Sequence, residues 1–368
     1  MIPLRKSGWW PVLLVLGLLA GAEAQEYRRA LPGYRFQFPR DHFSHPGFKT
    51  EWWYYTGHLK TGDGGRYGYQ LTFFRVGTEE GEEVKNPSRW AVRDLFLAHF
   101  AVSDLNRRRF HFTDRLNRAA LGTAGASTKA LKVWNGNWGL EAEGEAHRLQ
   151  AKDEQYAVDL TLTPVKPPVI HGKDGVSQKG EGFGYASHYY SLSRLRTTGT
   201  ITVHGRTRRV EGWSWMDHEF GSNQLHEYQE GWDWFGLQLD NGLDLMFYLM
   251  RQKGGRPDPY SSGTLILPDG KALHLPLSQV RVRATGTWKS PRSKATYPMG
   301  WEIRIPQHGV FLTVTPSFPD QELDTRKSTK VIYWEGSVRV RGTYQETPVS
   351  GQGYVEMTGY AGRFHQRI

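Results

Sequence analysis

Eleven residues, Gly212-Trp-Ser-Trp-Met-Asp-His-Glu-Phe-Gly-Ser222, gather two indoles, two carboxylates and an imidazole. Read as a β-strand, the run sends alternate residues to opposite faces. Trp213, Trp215 and Asp217 then share one face, and Ser214, Met216 and His218 the other. A carboxylate beside two indoles lies against apolar surface, which penalises its charged form and raises its pKa. A carboxylic acid held neutral among aromatic rings is a proton donor. The plainer reading makes Trp213 and Trp215 core residues and Asp217 the tie of a turn. A metal held by Asp217, His218 and Glu219 with His188 or His226 would need a turn, because neighbouring strand residues point apart. No metal and no other cofactor is therefore expected.

Other chemistries find less support. No G-x-S-x-G elbow and no H-E-x-x-H occur. Glu51 and Asp217 could pair as the two acids of a glycosidase, but Glu51 could equally pair with an arginine such as Arg194. The chain has no cysteine, which excludes disulfides, thiolate nucleophiles and thiolate-bound metal. Its net charge of +10 is scattered, and no nucleic-acid motif accompanies it, so no nucleic-acid partner is expected.

The elements that must position these residues are strands. The 368 residues include 14 Trp, 18 Tyr, 17 Phe and 42 Gly, a composition of short aromatic strands separated by glycine turns. The length favours two domains. Residues 1–24 read as a signal peptide. Arg5 and Lys6 precede an apolar run from Trp9 to Ala20, and Ala22-Glu-Ala24 offers cleavage after Ala24. A periplasmic or secreted location in a bacterium is the expectation. Residues 25–48 form a lead-in with three prolines, in which His42 and His45 read as turn and surface residues. Glu51 to Leu59 is a strand, Gly62-Asp-Gly-Gly65 a hairpin turn, and Tyr67 to Val76 the returning strand. Residues 164–187 are a long Pro/Gly loop, and a loop of that length in a compact domain is often functional.

The chain repeats itself. Asp159 to Pro167 matches Phe311 to Pro319, Gly199 to Gly205 matches Gly336 to Gly342, and Val210 to His218 matches Val349 to Met357. Upstream, Trp52-Trp-Tyr-Tyr echoes Trp232-Asp-Trp-Phe, and Leu71 to Arg75 echoes Phe247 to Arg251. The order is the same in both copies. This predicts an all-β chain of two tandem antiparallel β-barrels, residues 49–224 and 225–368, with a pair of sandwiches as the alternative. Asp217 corresponds to Glu356 and Trp215 to Tyr354, whereas His218 corresponds to Met357. The first copy carries polar chemistry that the shared fold does not require, which points to a site in the N-terminal domain.

Glu51 to Leu59, Ser187-His-Tyr-Tyr-Ser191, Gly212 to Ser222 and Gly231 to Gly242 resemble the AttH-like / carotenoid 1,2-hydratase family over nearly the whole mature chain. The resemblance implies two lipocalin-like barrels. In its hydratase branch an aspartate protonates an alkene and water captures the cation. By motif position those roles fall on Asp217 with His188, Tyr190 and Trp215, although the aromatics at Tyr190 and Trp215 differ from those of the hydratases. Glu51, Trp52, Tyr54, Trp213, His218, Glu219, Trp232 and Trp234 complete the expected ligand-binding set. The expected ligand is an apolar isoprenoid- or lipid-like molecule. The alternatives are a non-catalytic lipid carrier working with a membrane ABC transporter, and a secreted hydrolase.

Overall fold

The computed structural model describes residues 27–78, 92–223 and 225–362; the signal peptide expected over residues 1–24 and its expected cleavage point lie outside them. Regular structure among the described residues is β throughout, apart from three 3₁₀ turns.

Thirteen strands form the first sheet: β1 (Thr50–Thr61), β2 (Arg66–Gly77), β3 (Asp94–Asp104), β4 (Arg109–Arg118), β5 (Ala124–Ala126), β6 (Lys132–Asn135), β7 (Trp138–Glu143), β8 (Ala146–Lys152), β9 (Ala157–Pro164), β10 (Val169–Ile170), β11 (Ser177–Gln178), β12 (Ala186–Val203) and β13 (Arg206–Asn223). Their order is β4-β3-β2-β1-β13-β12-β9-β8-β7-β6-β5, with β10 and β11 added to β12. Side chains nearly close this path into a barrel. Arg115 on β4 donates to the Asn135 carbonyl at 3.0 Å and Asn117 donates to Asn135 Oδ1 at 2.6 Å, while the buried Asn135 amide donates to Phe96 on β3 at 3.0 Å. These bonds hold the edge strand β4 against β6, beside the other edge, β5.

The second half repeats the plan with β14 (Gln229–Leu239), β15 (Asp244–Gln252), β16 (Ser262–Ile266), β17 (Ala272–Pro276), β18 (Arg281–Ala284), a separate hairpin of β19 (Thr287–Lys289) and β20 (Thr296–Pro298), then β21 (Trp301–Ile305), β22 (Val310–Pro316), β23 (Glu322–Thr325), β24 (Val331–Tyr344) and β25 (Thr347–Met357). The order β17-β16-β15-β14-β25-β24-β22-β21-β18 reproduces that of the first sheet. Its edge strands share one core, to which β17 gives Leu275 and β18 gives Val282.

The duplication holds at single-residue register. Leu160 lies opposite Gly199 and Leu149, and Leu312 lies opposite Gly342 and Ile303. Val210 pairs with Gly199, and Val349 with Gly342. Gly199 is therefore the counterpart of Gly342, six residues from the match with Gly336 read in the sequence. A six-residue slip is even, so it leaves every side chain on its own face, and alternation alone cannot detect it. Space can. A Cβ on Gly199 would come 2.1 Å from Asp159 O, and one on Gly342 would come 1.9 Å from Phe311 O.

The first barrel is filled rather than hollow. Trp53, Tyr55, Tyr69, Phe73, Phe100, Trp138 and Tyr190 pack its interior. The lead-in closes one end: His42 Nδ1 lies 2.6 Å from the Tyr190 hydroxyl, and Trp53 Nε1 donates to the His42 carbonyl at 3.1 Å. His45 is buried, stacks on Phe220 and bonds Glu51; His42 does end a 3₁₀ turn, Arg40–His42, but is half-buried against Tyr190, so neither is the surface residue expected.

The two halves press together the outer faces of equivalent strands. Along β1, Trp53 and Tyr55 enter the first core while Trp52 and Tyr54 face the second half; along β14, Phe235 and Leu237 face inward while Trp232 and Trp234 face the first half. Tyr54 donates to Glu335 at 2.5 Å, and its counterpart Trp234 donates to the Tyr189 hydroxyl at 3.0 Å. Lys166 and Arg194 of the first half converge on the buried Asp244 carboxylate of the second, at 2.7 and 2.6 Å. Arg194 is thus committed to Asp244 and does not meet Glu51.

Gly342→Ala tests the corrected register. Its methyl must displace strand backbone, so the variant is expected to melt well below wild type, while Gly336→Ala, whose nearest neighbours are side-chain atoms of Gln321 and Trp334, is milder. Thermal denaturation of both checks this, and equal losses contradict it.

Candidate active site

The alternation read in β13 is present, and it divides the expected site residues between two places. Asp217 and Glu219 face the second half, together with Trp215. Met216, His218 and Phe220 face the other way. On β12, Tyr189 and Ser191 share the side of Asp217, since Ser191 lies directly opposite Asp217 and Tyr189 opposite Glu219. His188 and Tyr190 therefore occupy the opposite face. His188 stacks on Tyr34 and bonds the Gly175 carbonyl at 2.7 Å; the Tyr190 hydroxyl meets His218 Nδ1 at 3.1 Å. Of the four residues expected to act together, the structure brings Asp217 and Trp215 into contact and holds His188 and Tyr190 across the sheet. The residues beside Asp217 are one position out of phase with those the motif suggested.

Asp217 borders a cavity of about 160 Å³ between the two halves, not inside the N-terminal barrel. That size is on the order of the roughly 150 Å³ engineered cavity that takes up benzene. Trp52, Tyr54 and Phe74 wall it from one half, and Trp232, Trp234, Tyr248 and Tyr333 from the other. The polar lining includes Asp217, Glu219, Lys179 and Glu356. Trp52, Tyr54, Glu219, Trp232 and Trp234 are therefore at the cavity, as expected of ligand-binding residues. Trp213 is not: it lies 36% exposed at a separate groove. Glu51 also lines the cavity, as expected, but its carboxylate belongs to a separate cluster with His218, which does not line it. Glu51 is held by Arg75 Nε at 3.2 Å, His45 Nδ1 at 2.8 Å and His218 Nε2 at 3.0 Å, and these partners hold it well below the usual carboxylate range against the opposing effect of burial. His45, Glu51 and His218 offer donor atoms within 4.8 Å of one another, enough for a metal ion. The Arg75 guanidinium on the same carboxylate opposes a second cation there.

Three neutral donors reach Asp217. The Tyr189 hydroxyl donates to Oδ2 at 2.6 Å, Trp215 Nε1 donates to Oδ1 at 2.6 Å, and the Ser191 hydroxyl also bonds Oδ1. Burial pushes the Asp217 pKa up to about 7; these three bonds oppose the rise, and the nearby Glu219 charge adds to it. Glu356, its counterpart, also rises to about 7 through burial, opposed by Trp232 Nε1 at 2.9 Å and aided by Asp217 and Glu219. Glu335, directly opposite Glu356, rises well above the ordinary range through burial and the Glu356 charge. Both cations in the lining are already paired: Lys179 Nζ lies 3.0 Å from Glu219 and 3.9 Å from the Tyr248 ring centre, and Arg75 bridges Glu51 at 3.2 Å and Asp94 at 2.8 Å.

Tyr189, Ser191, Lys179 and Glu335 were not singled out from the sequence. The first two lie inside a recognised motif on its other phase. Lys179 comes from the long loop, which gave no register. Glu356 was visible as the match to Asp217, but nothing in one chain of letters says that the two copies face each other.

A duplicated β-barrel protein with an acid-bearing aromatic cavity between its halves is the class that fold and site define. The AttH-like family model matches residues 29–360, and the chain belongs to that family. A crystal structure of an AttH protein from Nitrosomonas europaea shares 33% identity and a TM-score of 0.82, covering 90% of this chain and 99% of that one. Kievitone hydratase from Nectria haematococca shares the fold at a TM-score of 0.69 and 19% identity, covering 92% and 97%. The dehydratase asqC of Emericella nidulans is 23% identical over 282 residues, 72% of this chain and 77% of its own length.

The Asp217 shift fixes a pH dependence. Its folded pKa lies above the unfolded value, so the folded state binds the extra proton between about pH 4 and about 7 and stability falls as pH rises through that window. Relative to Asp217→Asn, whose amide does not titrate, wild type is expected to lose melting temperature from pH 5 to pH 8. A difference that stays constant or grows with pH contradicts the assignment.

Proposed function

We propose that the protein binds an apolar isoprenoid- or lipid-like molecule between its two halves and adds water across, or removes it from, a carbon–carbon bond, with Asp217 as the acid. The observation that carries this reading is a carboxyl near neutrality, hydrogen-bonded only by neutral donors, at a cavity walled by tryptophan and tyrosine. In the hydration direction the alkene π electrons take the Asp217 proton and the adjacent carbon becomes cationic. Indole faces such as Trp52, Trp232 and Trp234 stabilise that positive charge without offering a nucleophile. Water then forms the C–O bond and returns a proton to a carboxylate, Asp217 or Glu356. Dehydration runs the same steps in reverse. The hydratase and dehydratase names of two relatives support this class of reaction. The N-terminal leader supports its placement outside the cytoplasm.

Incubation with isoprenoid alkenes and tertiary alcohols in ¹⁸O-labelled water, read by mass spectrometry, tests it. Label is expected in the alcohol product, and Asp217→Asn should lose turnover by about 10²–10⁴-fold while retaining ligand-induced quenching of tryptophan fluorescence. Quenching without turnover in wild type would instead identify a carrier. Undiminished turnover in the variant would remove Asp217 as the acid.

A further inference from the structure

The long loop between β9 and β12 also contributes His171, which connects to Asp217 from behind the cavity wall. Its Nε2 lies 2.6 Å from Ser191 Oγ, and the same hydroxyl bonds Asp217 Oδ1. Its Nδ1 lies 2.8 Å from Thr264 Oγ1 in the second half. Thr264 on β16 lies directly opposite His274 on β17, so the two side chains share a face. His274 is partly exposed, and its Nδ1 is a buried atom with no hydrogen-bond partner among the described residues.

We propose that Ser191, His171 and Thr264 form a proton relay that exchanges the Asp217 carboxyl proton with the His274 side of the second half. The proposal rests on the reading of Asp217 as a group that gains and loses a proton.

The hydrogen count supports it. The Tyr189 hydroxyl accepts from Trp234 Nε1 and donates to Oδ2; Oδ1 accepts from Trp215 Nε1, an N–H that cannot reverse, and its bond to the Ser191 hydroxyl can, which makes Oδ1 the seat of the acid proton. Ser191 has a single hydroxyl hydrogen. With Asp217 ionised, that hydrogen points at Oδ1, His171 donates from Nε2 to Ser191, and Thr264 donates to Nδ1. With Asp217 protonated every bond reverses: Oδ1–H donates to Ser191, Ser191 to Nε2, and Nδ1–H to Thr264. Outward transfer breaks the Oδ1–H bond as Ser191 takes that proton and gives its own to Nε2. The Nδ1 proton passes to Thr264, which releases its own to a solvent water on the partly exposed His274 side, leaving a carboxylate at Asp217 and a hydronium in solvent. His171 begins and ends neutral, having changed tautomer. The neutral ring is the favoured form there, because burial and the charges of Lys179 and His274 hold the His171 pKa well below its ordinary value. The Tyr189 ring lies tilted at 4.4 Å from that of His171, and Lys179, Glu219, Tyr54, Glu335 and Glu356 are further titratable groups around Asp217.

The test needs no substrate. Protein labelled with ¹⁵N in its histidine rings is followed by NMR from pH 5.5 to 8.5, with His171→Gln identifying the His171 signals. The ring hydrogen of His171 is expected on Nδ1 at low pH and on Nε2 at high pH, switching near the Asp217 midpoint of about 7 without passing through the imidazolium form. Asp217→Asn, whose amide can donate to Ser191, should hold the Nδ1–H tautomer at every pH, and Ser191→Ala should abolish the coupling. A His171 tautomer that ignores pH in wild type, or that switches unchanged in Asp217→Asn or Ser191→Ala, overturns the relay. That outcome leaves the acid reading standing, because the turnover of Asp217→Asn judges that reading separately.

Discussion

A carboxyl is buried here with no cation of its own. Asp217 receives hydrogen bonds from a phenol, an indole and a serine, while the nearby Lys179 is committed to Glu219. Three neutral donors do not make up for lost hydration, and the charged form stays disfavoured. The contrast with Glu51 is instructive. Both are buried, but Glu51 has Arg75 and two histidines and is held ionised. The paired Glu51 and Asp244 brace the lead-in and the interface, whereas Asp217 and Glu356, which have no cation among the described residues, lie at the cavity.

Gene duplication explains how such a site arises. Each half has an outer face of aromatics on equivalent strands, and pressing the faces together closes a cavity that neither half has alone. Divergence then distributed the chemistry: Asp217 against Glu356, Ser191 against Glu335, Tyr54 against Trp234. Tyr54 bonds Glu335 across the interface, whereas its counterpart Trp234 bonds Tyr189, two residues along β12 from the counterpart of Glu335. The buried Lys166–Asp244–Arg194 group holds the halves in this relation. Removal of one of its members would leave an uncompensated buried charge, which is strongly destabilising.

Much of this was legible in the sequence because strand alternation and repetition are sequence properties. The β class, the two halves, their matched order and the shared face of Trp215 and Asp217 all follow from them. What was not legible depends on which surfaces meet. Asp217 was read toward a cavity inside the first barrel, but Trp53, Tyr55 and Tyr190 fill that interior. His188 and Tyr190 were chosen by motif, and a phase of one residue sends them across the sheet. His171 and Lys179 lie on a loop laid against β12 by short pairings and against the second half through Thr264, contacts that the loop's own residues do not announce. The six-residue slip between Gly199 and Gly336 shows the same limit, since an even shift preserves everything that alternation encodes.

The central claim is that ligand binds between the halves, against Asp217. Crystals soaked with a brominated isoprenoid alkene would locate it directly through the anomalous scattering of bromine. The account predicts a peak in the cavity bounded by Trp52, Trp232 and Asp217. A peak within the first barrel among Trp53, Tyr55 and Tyr190, or at the outer groove beside Trp213, would contradict it.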